Sequence, residues 1–152
     1  MRTIRKTLGV RFTSLLIFTL YGSAQQLVQV SREDGSQTPW RVYSPNSATC
    51  APLALISPRA GGSENGYRYL AEGMRADGWR AIVMGHKESG RAALTSDLRQ
   101  QHSVKRGLRE LVDDPTACDA RLMDIAAALK WAGQSCKTPY VALIGHSMGL
   151  EP

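Results

Sequence analysis

No acidic residue occurs before position 25, and this absence decides how the charge of the chain is read. The 152 residues carry 19 Lys and Arg against 13 Asp and Glu, a formal +6 that taken whole would suit a polyanionic partner. Arg2, Arg5, Lys6 and Arg11 all lie in the acid-free stretch. The remainder is nearly balanced, which implies no nucleic-acid partner. The apolar run Phe12 to Tyr21 falls well short of the roughly twenty residues that a membrane-crossing helix needs, so no stable membrane span is expected. Basic residues precede that run and Gly22, Ser23 and Ala24 follow it. The three-part pattern predicts a cleaved signal peptide over residues 1–24 and export to periplasm or medium, against an uncleaved anchor or a buried first helix. No cysteine follows the leader directly, which disfavours a lipid anchor.

Metal-binding spacings are absent as well. There is no Cys-x-x-Cys or His-x-x-x-His, and the three histidines are scattered, so no metal cluster is signalled. Cys50, Cys118 and Cys136 are an odd number for an exported chain. A helix from Pro115 to Gly133 would hold Cys118 and Cys136 roughly 20 Å or more apart, at about 1.5 Å per residue, too far for a bridge. Neither an internal repeat nor a low-complexity tract is present. With 43% hydrophobic and 21% charged residues, residues 25–152 read as one globular domain.

Gln26 to Ser31 and Trp40 to Tyr43 alternate apolar and polar residues around the turn-forming Glu33 to Ser36, which predicts a hairpin. Leu53 to Ile56 and Ala81 to Met84 are unbroken apolar runs of buried-strand length. Between them Tyr67, Leu70, Ala71 and Met74 mark a helical stripe, with Ser63 or Asn65 as the capping residue and Gly78 at the end. Strand, helix and strand form a βαβ unit with parallel strands. Residues His86 to Asp114 predict helices interrupted by a loop. A stronger helix opens at Asp114-Pro115, carries Leu122, Ile125, Ala126 and Leu129 as its core stripe, and ends at Gly133. Tyr140 to Ile144 is a third buried strand. More residues separate the second and third strands than a crossover requires, so part of Gly85 to Asp114 is an insertion.

Directly after the third strand stands Gly145-His146-Ser147-Met148-Gly149. A Gly-x-Ser-x-Gly string would arise by accident in roughly one chain in ten of this length, so its place after a strand and a βαβ unit gives it weight. A tight strand-to-helix turn there would strain the serine backbone, expose the Ser147 hydroxyl as a nucleophile and offer the Met148 amide to an oxyanion. The alternative is a glycine-tolerant turn with an ordinary serine.

With Leu55 to Gly62 and Asn65 to Glu72, this motif resembles the first part of an α/β-hydrolase, near the dienelactone hydrolase and platelet-activating-factor acetylhydrolase-like groups. The resemblance covers roughly Leu53 to Gly149. It implies a partial α/β-hydrolase fold, a mostly parallel sheet with flanking helices, ending just after the nucleophile elbow. It also implies a serine hydrolase acting on a small ester or lactone through an acyl-enzyme, with no cofactor and no metal. The loop after the first strand often reads His-Gly-x-Gly in those families, which by position makes Ala60 the second oxyanion donor. Here Pro58 stands for the histidine and Arg59 for the glycine, and Pro58 has no amide to donate. No Gly-Lys-Ser/Thr follows, which speaks against a phosphate cradle.

In this fold the acid and the histidine follow the serine, and only Leu150-Glu151-Pro152 follow here. Both partners are therefore expected outside these residues, and the isolated product is expected to turn over esters negligibly and to be poorly soluble. A non-catalytic remnant or binding module on the same framework is the rival reading. His146, beside the serine, projects away from it and is expected to pack rather than act as base. His86 follows the second strand at the ligand-binding edge of such sheets and is a candidate substrate-facing residue, with a surface-loop histidine as its alternative. Arg99, Lys105, Arg106 and Arg109 form a basic patch, read as a solvated face against contact with an acidic substrate.

Overall fold

The structure, a computed structural model, describes residues 25–46, 50–135 and 137–149. The expected leader, residues 1–24, lies outside the described residues, as does Cys136. Strand β1 (Gln25–Ser31) and strand β2 (Gln37–Tyr43) form the expected hairpin, in register from Gln25↔Tyr43 to Ser31↔Gln37. Its turn is closed by Arg32 N–H to the Ser36 carbonyl (3.0 Å) and by Gly35 at φ 79°, a conformation that suits glycine. The Asp34 carboxylate accepts the Ser36 amide at 2.9 Å.

Strand β3 (Leu53–Ser57), helix α1 (Arg68–Ala76) and strand β4 (Arg80–Met84) make the βαβ unit, with β3 and β4 parallel. Every residue of β3 is buried, as an uninterrupted apolar run requires when both faces are covered. Strand β5 (Val141–Gly145) adds parallel to β3, and β2 pairs antiparallel with β4. The result is a mixed sheet in the order β1-β2-β4-β3-β5.

Helix α1 packs Tyr67, Leu70, Ala71 and Met74 against Tyr43, Ala54, Ile56, Ala81 and Val83 on one face. Neither predicted capping side chain caps it. Tyr67 holds the N-cap position at φ 54°, and the Asn65 side chain instead accepts Arg41 Nη2 at 2.6 Å. The insertion is an antiparallel pair, α2 (Arg91–Gln101) and α3 (Val104–Asp113), followed by the crossover helix α4 (Pro115–Ser135).

Helix α4 covers the other face through Ala127, Ala128 and Ala132, beside Trp40, Leu53, Leu55, Ile82 and Met84. This corrects the predicted stripe, because Leu122 and Leu129 are 47% and 43% exposed while Arg121 and Asp124 are buried. Small alanines let the helix approach the sheet closely, and the two polar residues are drawn inward by partners described below. On β5, Val141 and Leu143 share a face with Leu53 and Leu55 by register and are half exposed. Among the described residues no helix is long and apolar enough to cross a membrane.

Candidate active site

The serine of the Gly-x-Ser-x-Gly string sits where the chain leaves β5 and enters a single 3-10 turn, Ser147–Gly149. Its φ is 56°, a left-handed conformation that costs a residue with a Cβ about 1–2 kcal/mol. The side chain is exposed and Met148 behind it is buried. The turn is pinned from beneath, with His146 N–H donating to the Ser57 carbonyl at 3.2 Å and Gly149 N–H to the His146 carbonyl at 3.1 Å.

Gly149 lies directly on Ser57, so that a Cβ at position 149 would stand 2.3 Å from the Ser57 carbonyl oxygen. Backbone cannot yield as a flexible side chain does. Gly149→Ala is expected to destabilise the protein by about 1–3 kcal/mol, read as a lower urea midpoint. His146 points to Tyr67, whose hydroxyl it meets through Nδ1 with the rings edge to face. Among the described residues no histidine hydrogen-bonds Ser147.

The loop leaving β3 comes to the same place. Ala60 and Met148, the two expected amide donors, are each 2% exposed and pack in one cluster with Leu111 and Ala117. Gly61 N–H is taken by the Ser89 carbonyl and Gly62 N–H by the Arg59 carbonyl, both at 2.8 Å. Gly61 has φ 73°, so the positive-φ position of this loop falls two residues after Arg59 and Arg59 itself is unstrained.

Beneath the elbow lies an array that the sequence reading missed. His86 Nδ1–H donates to Asp124 Oδ2 (2.7 Å), and Ser57 Oγ–H donates to His86 Nε2 (2.9 Å). This proton order follows from the chemistry, since a carboxylate only accepts. Arg121 completes it, donating from Nη1 to Ser57 Oγ (3.2 Å) and the Pro58 carbonyl (2.8 Å), and from Nε to Ser89 Oγ (2.7 Å). Arg32 stands 3.5 Å from Asp124 Oδ1 and grips Glu88 with two nitrogens at 2.8 and 2.7 Å. The Ser-His-Asp order is that of a nucleophilic relay, but Ser57 is 1% exposed and no ester could reach it.

His86 is therefore corrected: the residue is 4% exposed and both ring nitrogens are engaged inside the protein rather than turned to solvent. The only sequence signal for the array was the pair of polar residues three apart on α4, opposite the leucines.

Burial drives the His86 pKa below its usual value, the hydrogen bond to Asp124 opposes this, and the Arg121 charge adds to the lowering. The folded state thus binds the proton less readily than the unfolded chain, where histidine titrates near 6.5. Stability is full above that value and falls as pH drops from about 6.5 toward the folded pKa, by at most about 1.4 kcal/mol per unit. Urea unfolding between pH 7.5 and 5 is expected to show this slope, and His86→Gln to remove it.

Beside the elbow opens a cleft of about 360 Å³ lined by Ile56, Tyr67, Tyr69, Leu70, Ile144 and His146. Arg106 and Arg109 of the basic patch share a separate groove with Asp97, Glu110, Asp113 and Asp114, so their charge is locally compensated. Among the described residues no group of three or more His, Cys, Asp or Glu is placed to hold a metal ion, and Cys118 carries a free thiol.

No protein-family model matches the sequence, and no curated protein matches it. Solved structures do share its architecture. A cold-adapted esterase from an Arctic intertidal metagenomic library superposes with a TM-score of 0.59 at 20% identity, over 82% of this chain and 51% of its own. A structure from Klebsiella pneumoniae assigned to the dienelactone hydrolases gives 0.57 at 18%, over 78% and 48%. A Bacteroides ovatus structure assigned to dipeptidyl aminopeptidase IV gives 0.51 at 17%, over 82% and 18%. The chain has a partial α/β-hydrolase fold and spans about half the length of the first two.

Proposed function

We propose that a chain with this fold and this elbow is the N-terminal part of an exported serine hydrolase that attacks a small carboxylic ester or lactone through Ser147. The observation that carries the reading is the left-handed backbone of Ser147, exposed at the end of a parallel strand. Strained backbone of this kind clusters at functional sites, and here it falls on the serine of the elbow. The Ser147 hydroxyl adds to the carbonyl carbon, the Met148 and Ala60 amides receive the developing oxyanion, and loss of the alcohol leaves an acyl-serine that water hydrolyses. Within Ala60 to Gly62 the Ala60 amide is the one that no described backbone acceptor takes.

His86 is committed to Ser57 and Asp124 and His146 to Tyr67, and His102 stands at the C-cap of α2. The proton acceptor for Ser147 and the carboxylate behind it therefore come, in this proposal, from sequence beyond these residues. Solved structures of this fold about twice as long support that placement. No metal or cofactor has a step in this mechanism. The apolar cleft beside the elbow suits the acyl or alkyl part of a small ester.

Sequencing past codon 152 should show an Asp or Glu and later a His in a readable frame, and the full-length product should be labelled by a fluorophosphonate at Ser147. A full-length product that hydrolyses esters yet escapes the probe would count against the serine. A continuation with neither residue would favour the non-catalytic remnant.

A further inference from the structure

Arg121 belongs to α4, yet its side-chain hydrogen bonds run to the end of β3 and to the loops after β3 and β4. Nη1 donates to the Pro58 carbonyl and to Ser57 Oγ, and Nε donates to Ser89 Oγ. The carbonyl of that same Ser89 accepts the Gly61 amide. Residue 58 is thus fixed at its carbonyl and residue 61 at its amide, and both attachments trace to one guanidinium. Ala60 lies between them. The Asp124–His86–Ser57 array sets the direction of the Ser57 bond, because the Ser57 proton is committed to His86 and its oxygen is left to accept from Arg121.

Stability alone does not account for this arrangement. Arg121 is 4% exposed, and among the described residues it forms no ion pair within 4 Å. Burial pulls its pKa down to about 10, which still leaves it charged at neutral pH. Its Nη2 has no hydrogen-bond partner among the described residues. Burying a cation against neutral partners is unfavourable, and what it supplies in return is fixed geometry. The loop has need of it, since Pro58 and Arg59 occupy positions where the resembling families often carry His and Gly. A planar fork can reach Pro58 and Ser89 together, whereas a lysine ammonium is a single point.

We propose that Arg121 is a positioning residue of the oxyanion hole, clamping the Ser57–Gly61 segment so that the Ala60 amide is held beside the elbow. The inference rests on the serine-hydrolase reading and deepens it. In the full-length hydrolase, Arg121→Met is expected to lower kcat for p-nitrophenyl acetate about 100-fold per labelled serine, with KM changed by less than about threefold. Amides of residues 59–62 should exchange with deuterium faster while those of the β1–β2 hairpin do not, which a general loss of stability would not produce. Arg121→Lys should recover about tenfold of the loss by restoring the Pro58 bond alone. Should Arg121→Met not fold, Ser89→Ala removes one arm and should lower kcat by about tenfold with KM held.

Wild-type kcat in these variants, or exchange that quickens equally in hairpin and loop, overturns the clamp. Unchanged turnover in Ser147→Ala overturns the serine reading instead, so the two failures are told apart.

Discussion

Replacing Ser147 by alanine in the full-length protein is expected to lower kcat for an activated ester by on the order of 10^5-fold, the scale seen when a catalytic nucleophile acting with a base is removed. Alanine carries the same Cβ as serine, so the left-handed backbone at φ 56° costs the same before and after the change. The hydroxyl is exposed and makes no hydrogen bond in the described set, so its loss should leave the urea midpoint within about 0.5 kcal/mol of wild type. Turnover and fluorophosphonate labelling should vanish together from a folded protein. If turnover survives while the fold is intact, the reacting atom lies elsewhere.

The second large effect is on stability. Asp124 is wholly buried, accepts the His86 Nδ1–H at 2.7 Å and stands 3.5 Å from Arg32. Cutting it back to alanine strands the His86 Nδ1–H donor and removes a carboxylate whose charge favours two buried guanidiniums, Arg32 and Arg121. The expected cost is about 3–5 kcal/mol in urea unfolding, the range for breaking a buried charged pair by deleting one partner. Asp124→Asn keeps an acceptor for His86 and should cost less. A loss below about 1 kcal/mol for Asp124→Ala would mean that the alanine face of α4, rather than its polar residues, seats the helix.

Local signals carried most of the architecture. The hairpin was legible because alternation flanks Glu33 to Ser36, and β3, β4 and β5 because their apolar runs have strand length. The elbow was legible because its glycines and serine follow such a run directly. The face of α4 was not. Leu122, Ile125, Ala126 and Leu129 have the spacing of a core stripe, yet of these Ile125 packs against the core while Leu122 and Leu129 are exposed and the helix turns Ala127, Ala128, Arg121 and Asp124 inward. Periodicity counts apolar residues, and it cannot see that two charged side chains have partners waiting at sites far away in sequence.

His86 was misread for the same reason. A histidine after a strand at the edge of an open sheet is in a place where ligands bind, and nothing local tells a substrate-facing ring from one clasped between Ser57 and Asp124. Three elements distant in sequence had to meet before its role could be seen: the end of β3, the loop after β4 and the middle of α4.

The amino-acid order alone determined the parallel core and the sharp bend that carries Ser147, because strand length, backbone freedom at glycine and short-range sterics act within a few residues. Only the tertiary structure decided which polar groups are buried and which loop amides remain open, because burial and hydrogen-bond partnership are properties of chain segments brought together from far apart.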